Sequence, residues 1–300
     1  MREAMKSDEQ GIDTALVARL IADQFPQWAN LPIVKIPSAG TDHAMYRLGD
    51  DMVVRLPRML GAARQVVTEQ RWLPRLAPHL PLQVPVPLGR GVPGQGFPMP
   101  WSVYAWLDGE NAFDQPIVDM RDAAVEMGGF VAALGRIDAT GGPQSFRGGP
   151  VSTSGYDVRG SIRDLGADGT IEGEAATAAW EQVLALPQWE GKPCWLHGDL
   201  MPGNLLTRHG RLTGVLDFGV LGIGDPACDL IPAWYLFGAE TRELFRKAAD
   251  VDDTTWARGR GWALCLGLGA EHHYRLSNPA LATVGRRAIF EALSDVADTG

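Results

Sequence analysis

His197-Gly198-Asp199 is followed by Asn204 and then, after a short gap, by Asp217-Phe218-Gly219. Asp199 and Asn204 keep the spacing H-x-D-x-x-x-x-N. In that pattern the aspartate takes the proton of an attacking hydroxyl, while the asparagine and a second aspartate hold magnesium against the phosphates of a nucleotide. Asp217 is placed to be that second aspartate. Pro202 and Gly203 let a tight loop turn Asn204 back beside Asp199, and Leu196, Leu200, Leu205 and Leu206 give the loop apolar anchors. The run Gly214-Val215-Leu216 puts Asp217 at the end of a short strand, behind a predicted hairpin at Arg208-His209-Gly210-Arg211. An isolated Asp-Phe-Gly says little. Following the first motif at this distance it makes a specific pair, and the chemistry of the pair is phosphoryl transfer.

The elements that must hold these groups divide the chain near Asp108-Gly109-Glu110. Residues 11–25 set Ile12, Leu16, Leu20 and Ile21 at helical spacing, with Asp13 near the start and Pro26 past the end. Residues 33–36, 45–48 and 52–56 read as three antiparallel strands. A helix follows over 61–77, which Pro74 must end or kink, and the apolar run from Trp101 to Leu107 leads out of a Pro- and Gly-dense stretch. Residues 1–107 thus form a small α+β unit. Residues 108–300 read as mainly helical, with helices over 119–138, 174–186, 227–249, 254–276 and 280–298 and an irregular Gly- and Ser-rich loop over 142–160.

With this layout the chain resembles the aminoglycoside phosphotransferase family, small-molecule kinases on the protein-kinase-like fold that include macrolide phosphotransferases. The resemblance implies a two-lobed α+β fold, with a small antiparallel-sheet lobe for the nucleotide and a larger helical lobe for the catalytic loop and acceptor. It implies Asp199 as catalytic base, Asn204 and Asp217 as magnesium ligands, and His197 and Asp225 as braces of the catalytic loop. Asp229, in the family-like segment Gly222–Leu230, would cap or orient a helix. Arg55 stands where a kinase has its phosphate-binding lysine, in a Val-x-Arg-x-Pro-Arg run, and Glu69 falls on the next helix as its ion-pair partner. Arginine keeps its charge and can grip phosphate with two donors. Ser38 to His43, with Gly40, Thr41, Asp42 and His43, lies where the phosphate-covering loop belongs. Tyr104, Ala105 and Trp106 resemble the hinge segment whose backbone reads the edge of adenine or guanine.

The expected activity is therefore a transferase reaction, dependent on ATP or GTP and on magnesium, that phosphorylates a hydroxyl of a small molecule. A formal charge of −9, all of it in residues 111–300, favours a cationic acceptor such as an aminoglycoside antibiotic. Aromatic residues of the late helices suit a macrolide or another metabolite equally, and a catalytically silent nucleotide-binding module is the reading from another class. Asp157, Arg159 and Glu271 are candidate acceptor contacts. A protein kinase is disfavoured, since Asp217 to Asp225 leaves no room for an activation loop and no Ala-Pro-Glu follows. The acidic balance argues against nucleic-acid binding. No G-x-x-x-x-G-K-[ST] is present, and the adjacent His272 and His273 point to different helix faces, which suits no metal site. Three scattered cysteines, and no signal-like or membrane-length apolar run, lead us to expect a cytoplasmic protein, monomeric or dimeric.

Overall fold

The computed structural model describes residues 11–37 and 42–297. The chain folds as two units, Met1–Pro78 with Gln83–Asp108, and His79–Leu82 with Gly109–Gly300. In the first, β1 (Ile33–Ile36), β2 (His43–Leu48) and β3 (Met52–Pro57) form an antiparallel meander in which Gly49, at a φ of 59°, makes the turn between β2 and β3. With β4 (Pro87–Gly91) and β5 (Trp101–Ala105) the sheet order is β1-β2-β3-β5-β4. Helix α1 (Thr14–Gln24) opens at Asp13, whose carboxylate accepts from Leu16 N at 2.7 Å, and it buries Leu16, Val17, Leu20 and Ile21 against this sheet.

Helix α2 (Leu60–Leu76) does not end at Pro74. The proline sits in the last turn, so it removes only the bond to the carbonyl of Gln70. That carbonyl accepts from Arg90 Nη2 at 2.7 Å instead.

The second unit holds short strands among helices. Strand β6 (Glu110–Asn111) pairs with β8 (Leu205–Arg208), and β8 pairs with β9 (Arg211–Val215). Separately, β7 (Cys194–Leu196) pairs with β10 (Gly222–Gly224). Around them lie α3 (Met120–Arg136), α4 (Val158–Ala167) and α5 (Gly173–Leu184). Helix α4 begins inside the stretch read as loop. The helix expected over 227–249 is broken into a 3-10 turn at Pro226–Leu230, α6 (Pro232–Tyr235) and α7 (Ala239–Ala249). Pro232 cannot continue a preceding helix, and Gly238 takes the extended conformation of a cap. The last two expected helices are α8 (Asp253–Tyr274) and α9 (Pro279–Ala297), packed on each other. Helix α8 is buried on nearly every face, through Trp256, Trp262, Leu264, Cys265, Leu266 and Leu268 among others. Among the described residues no helix is long and apolar enough to cross a membrane.

Candidate active site

The β8–β9 hairpin sets the distance between the two motifs. His209 and Gly210 have φ values of 53° and 74°, as a two-residue primed turn requires. Leu205 at one end of the hairpin pairs with Val215 at the other. Asn204 and Leu216 therefore emerge side by side, and Leu216 N donates to Asn204 O at 2.7 Å. The Asn204 amide nitrogen donates back to Asp199, to its carbonyl at 2.8 Å and to its Oδ2 at 3.0 Å. With Nδ2 spent on Asp199, Asn204 offers Oδ1 to a cation. Asp217 stands in the left-handed region at a φ of 57°, a conformation rare outside glycine that collects at functional sites. Among the described residues no cluster of three or more His, Cys, Asp or Glu is placed to hold a metal. An asparagine oxygen with one carboxylate fits magnesium, which takes few protein ligands and completes its shell with phosphates and water.

His197 ties the two segments together from beneath. Its Nδ1 can only accept from Asp199 N, at 3.1 Å, so the ring proton is on Nε2, which donates to Leu216 O at 2.9 Å. The Phe218 ring stands edge-on to the imidazole at 4.5 Å. Gly198, between them, has a φ of 81°.

The carboxylate that braces this turn is Asp229, where the family resemblance assigned Asp225. Asp229 is buried and accepts from His197 N at 2.7 Å and from Gly198 N at 2.6 Å. Burial pushes its carboxyl up, outweighing the neighbouring His197 and the two amide donors that favour charge. Asp225 has the capping role expected of Asp229. It accepts from Ala227 N at 3.0 Å at the head of the 3-10 turn and pairs with the buried Arg258, whose Nε donates to Oδ2 at 2.8 Å. The physical reason is reach: Asp229 lies one turn further on, beneath the β7 end, while Asp225 directly precedes the turn it caps.

Arg147 is a site residue that sequence reasoning missed. Its Nη1 donates to Asp199 Oδ1 and, at 2.7 Å, to Gly198 O, and its Nη2 donates to the Tyr156 hydroxyl at 3.0 Å. Burial works against its charge. The Asp199 carboxylate outweighs that, with Cys228 and Tyr156 adding, and the guanidinium is held above its ordinary value. Arg147 lies in the loop read as irregular, and no local pattern points to it.

In the first unit, Arg55 on β3 and Glu69 on α2 form a buried pair. Arg55 Nη1 meets both carboxylate oxygens, at 2.9 and 3.0 Å. Arg55 Nη2 donates to His43 Nδ1 at 3.2 Å, and the Tyr104 hydroxyl donates to Glu69 Oε2. Burial, and then the Glu69 carboxylate, push the Tyr104 phenol well up. Asp42 O accepts from Arg58 N at 2.8 Å, whereas Gly40 and Thr41 lie outside the described residues. Part of the hinge segment's backbone is engaged within the first unit. Ala105 N already donates to Val86 O at 3.2 Å and Trp106 N to Asp51 O at 2.7 Å, so neither amide is left to read a base. The Tyr104 side chain belongs to the Arg55 network, and Trp106 is covered by the Arg47 guanidinium at 3.7 Å.

The three candidate acceptor contacts are engaged elsewhere. Asp157 caps α4, accepting from Gly160 N at 2.9 Å. Arg159 makes an exposed pair with Glu181. Glu271 interrupts an apolar face because it is buried between α8 and α9, where its Oε1 accepts from Arg286 at 2.6 Å.

A kinase-like α+β fold carrying this loop defines the class as phosphotransferase. Residues 33–262 match the model of the Phosphotransferase enzyme family (APH), and the chain belongs to that family. It is 28% identical over 190 residues to the uncharacterized protein YcbJ of Bacillus subtilis (strain 168), covering 60% of this chain and 58% of that relative, less than two thirds of its length. Among solved structures, the GDP complex of wild-type aminoglycoside 2'-phosphotransferase-IIIa superposes with a TM-score of 0.67 at 17% identity, over 95% of this chain and all of that one. Macrolide 2'-phosphotransferase MphH from Brachybacterium faecium superposes at 0.60 with 24% identity, over 92% and 97%. At these identities the likeness is one of fold.

Proposed function

We propose that the chain is a nucleotide- and magnesium-dependent O-phosphotransferase acting on a hydroxyl of a small molecule. The observation that carries this reading is the closure of Asp199, Asn204 and Asp217 into one loop system, through Leu216 N on Asn204 O and Asn204 Nδ2 on Asp199. Asp199 orients the acceptor hydroxyl and takes its proton. Asn204 and Asp217 would hold magnesium, which when bound neutralises charge on the nucleotide phosphates. Arg55, held in place by Glu69, would grip the α- and β-phosphates. Such catalysis is largely positioning and charge stabilisation, and the chain supports it with fixed backbone geometry.

The nucleotide is ATP or GTP, as the ADP- and GDP-bound relatives of this fold suggest. An aminoglycoside acceptor has precedent in the kanamycin complex of one such relative, and a macrolide has it in another. Of the candidate acceptor contacts, Asp157 caps a helix and Glu271 pairs with Arg286. Magnesium-dependent stabilisation of the protein by ATP or GTP, together with nucleotide consumption across a panel of small alcohols, tests the proposal. Asp199→Ala is expected to abolish transfer while leaving nucleotide binding intact. Wild-type transfer by that variant would remove Asp199 from the mechanism, and no stabilisation by either nucleotide would sink the reading.

A further inference from the structure

Arg147 puts a cation against the carboxylate that an acceptor hydroxyl has to meet. Its backbone is fixed to the same strands that carry the catalytic loop. Ser145 N donates to Ile223 O at 3.1 Å, Ile223 N to Pro143 O at 2.8 Å and Asp225 N to Gly148 O at 2.9 Å, so residues 143–148 run hydrogen-bonded along β10. Ser145 Oγ accepts from Arg147 N at 3.1 Å and donates to Val220 O at 2.8 Å. A Cβ on Gly224 would stand 2.2 Å from Gly148 O, so this approach requires glycine. The Arg147 Nε is buried without a hydrogen-bond partner, a cost set against the bonds that its Nη1 and Nη2 make to Gly198, Asp199 and Tyr156.

The charge geometry at Asp199 is then restrictive. Oδ2 receives Asn204 and Oδ1 receives Arg147, which leaves each oxygen a further lone pair for an incoming hydroxyl. An ammonium group docking on the same carboxylate would stand beside a guanidinium, and like charges in a partly buried site repel strongly. The Tyr156 hydroxyl accepts from Arg147 Nη2 and keeps its proton to donate to an acceptor oxygen. We infer, resting on the phosphotransferase reading, that Arg147 sets the acceptor's charge class: a neutral or anionic alcohol, with no ammonium group beside the hydroxyl that attacks. In the transfer, the hydroxyl oxygen bonds to the γ-phosphorus and the bond from that phosphorus to the β,γ-bridging oxygen breaks. The nucleoside diphosphate leaves with that oxygen, and the hydroxyl proton passes to Asp199 and on to water.

The test is calorimetric titration of kanamycin, a polycation, into the full chain with magnesium and a non-hydrolysable ATP or GTP analogue. Wild type, Arg147→Gln, Arg147→Lys and the double variant Arg147→Gln/Asp199→Asn are compared. Arg147→Gln is expected to bind kanamycin about 10-fold more tightly than wild type. Arg147→Lys should behave as wild type, and the double variant should lose the gain. Equal kanamycin binding by wild type and Arg147→Gln, measurable or not, overturns the inference, as does weaker binding by Arg147→Gln. A wild-type transfer assay on kanamycin, glucose and gluconate keeps the question decidable if Arg147→Gln does not fold, since phosphorylation of kanamycin also overturns it. Nucleotide stabilisation of the wild type, read in the same samples, reports on the phosphotransferase proposal separately.

Discussion

Replacing Asp229 with alanine removes the acceptor of two buried amides at once, those of His197 and Gly198. A buried donor left without a partner costs about 1–3 kcal/mol, so the two together cost roughly 2–6 kcal/mol. Part of this is recovered. Burial already pushes the Asp229 carboxyl up, which means that its charge is held at a cost the alanine variant no longer bears. A net loss of about 2–4 kcal/mol is therefore expected. Urea unfolding measures the total, and native-state amide exchange locates it, since His197 and Gly198 should lose protection before the rest of the β7–β10 pair. Asp229→Asn, with one acceptor oxygen and an NH2 in place of the other, should fall between. Asp225→Ala is the control: it strands the Arg258 guanidinium and destabilises, yet should leave the His197 and Gly198 amides protected. A loss below about 1 kcal/mol for Asp229→Ala, with both amides still protected, would refute the assignment of Asp229 as the brace.

Three further outcomes are expected. Asp252 caps α8 through Thr255 N at 2.7 Å and the Thr255 hydroxyl at 2.8 Å, and these bonds lower its carboxyl below the ordinary value. Because the folded value is depressed, the stabilisation is present above the unfolded value near 4 and is lost as pH falls through the folded one. Acid unfolding of Asp252→Asn, which keeps a cap without the charge, should lack this contribution, while Asp252→Ala should cost about 1 kcal/mol at neutral pH. Tyr104→Phe should cost about 2 kcal/mol in urea unfolding by removing the phenol from Glu69, with Arg55 still paired. Gly210→Ala places a Cβ 2.6 Å from Val118 Cγ2 at a φ of 74°, so thermal unfolding should show a loss of about 1–2 kcal/mol.

Where groups lie close in the chain, their order in the sequence was enough to read that they come together. Asp199 and Asn204 share one loop, Asp217 follows one hairpin later, and the hairpin residues His209 and Gly210 announce their turn by type. Arg55 and Glu69 were legible for a related reason, since consecutive strand and helix leave few ways to place them. The same local logic could not foresee the pairing at Ala105 and Trp106. Strand pairing with Val86 and Asp51 consumes amides that a linear reading leaves available.

By itself, then, the sequence pointed to the proposed reaction class, because the motifs that carry it rest on short-range spacing that local backbone geometry enforces. Only the tertiary structure decided which carboxylate braces the loop, because Asp225 and Asp229 differ by one turn and look equivalent until β7 is placed above them. The fates of Asp157 and Glu271 were settled the same way, by a helix cap and by an arginine on the neighbouring helix. Arg147 is the clearest case. Its contact with Asp199 joins residues 52 positions apart in the chain through a loop with no periodicity, and it exists only because residues 143–148 are hydrogen-bonded along β10.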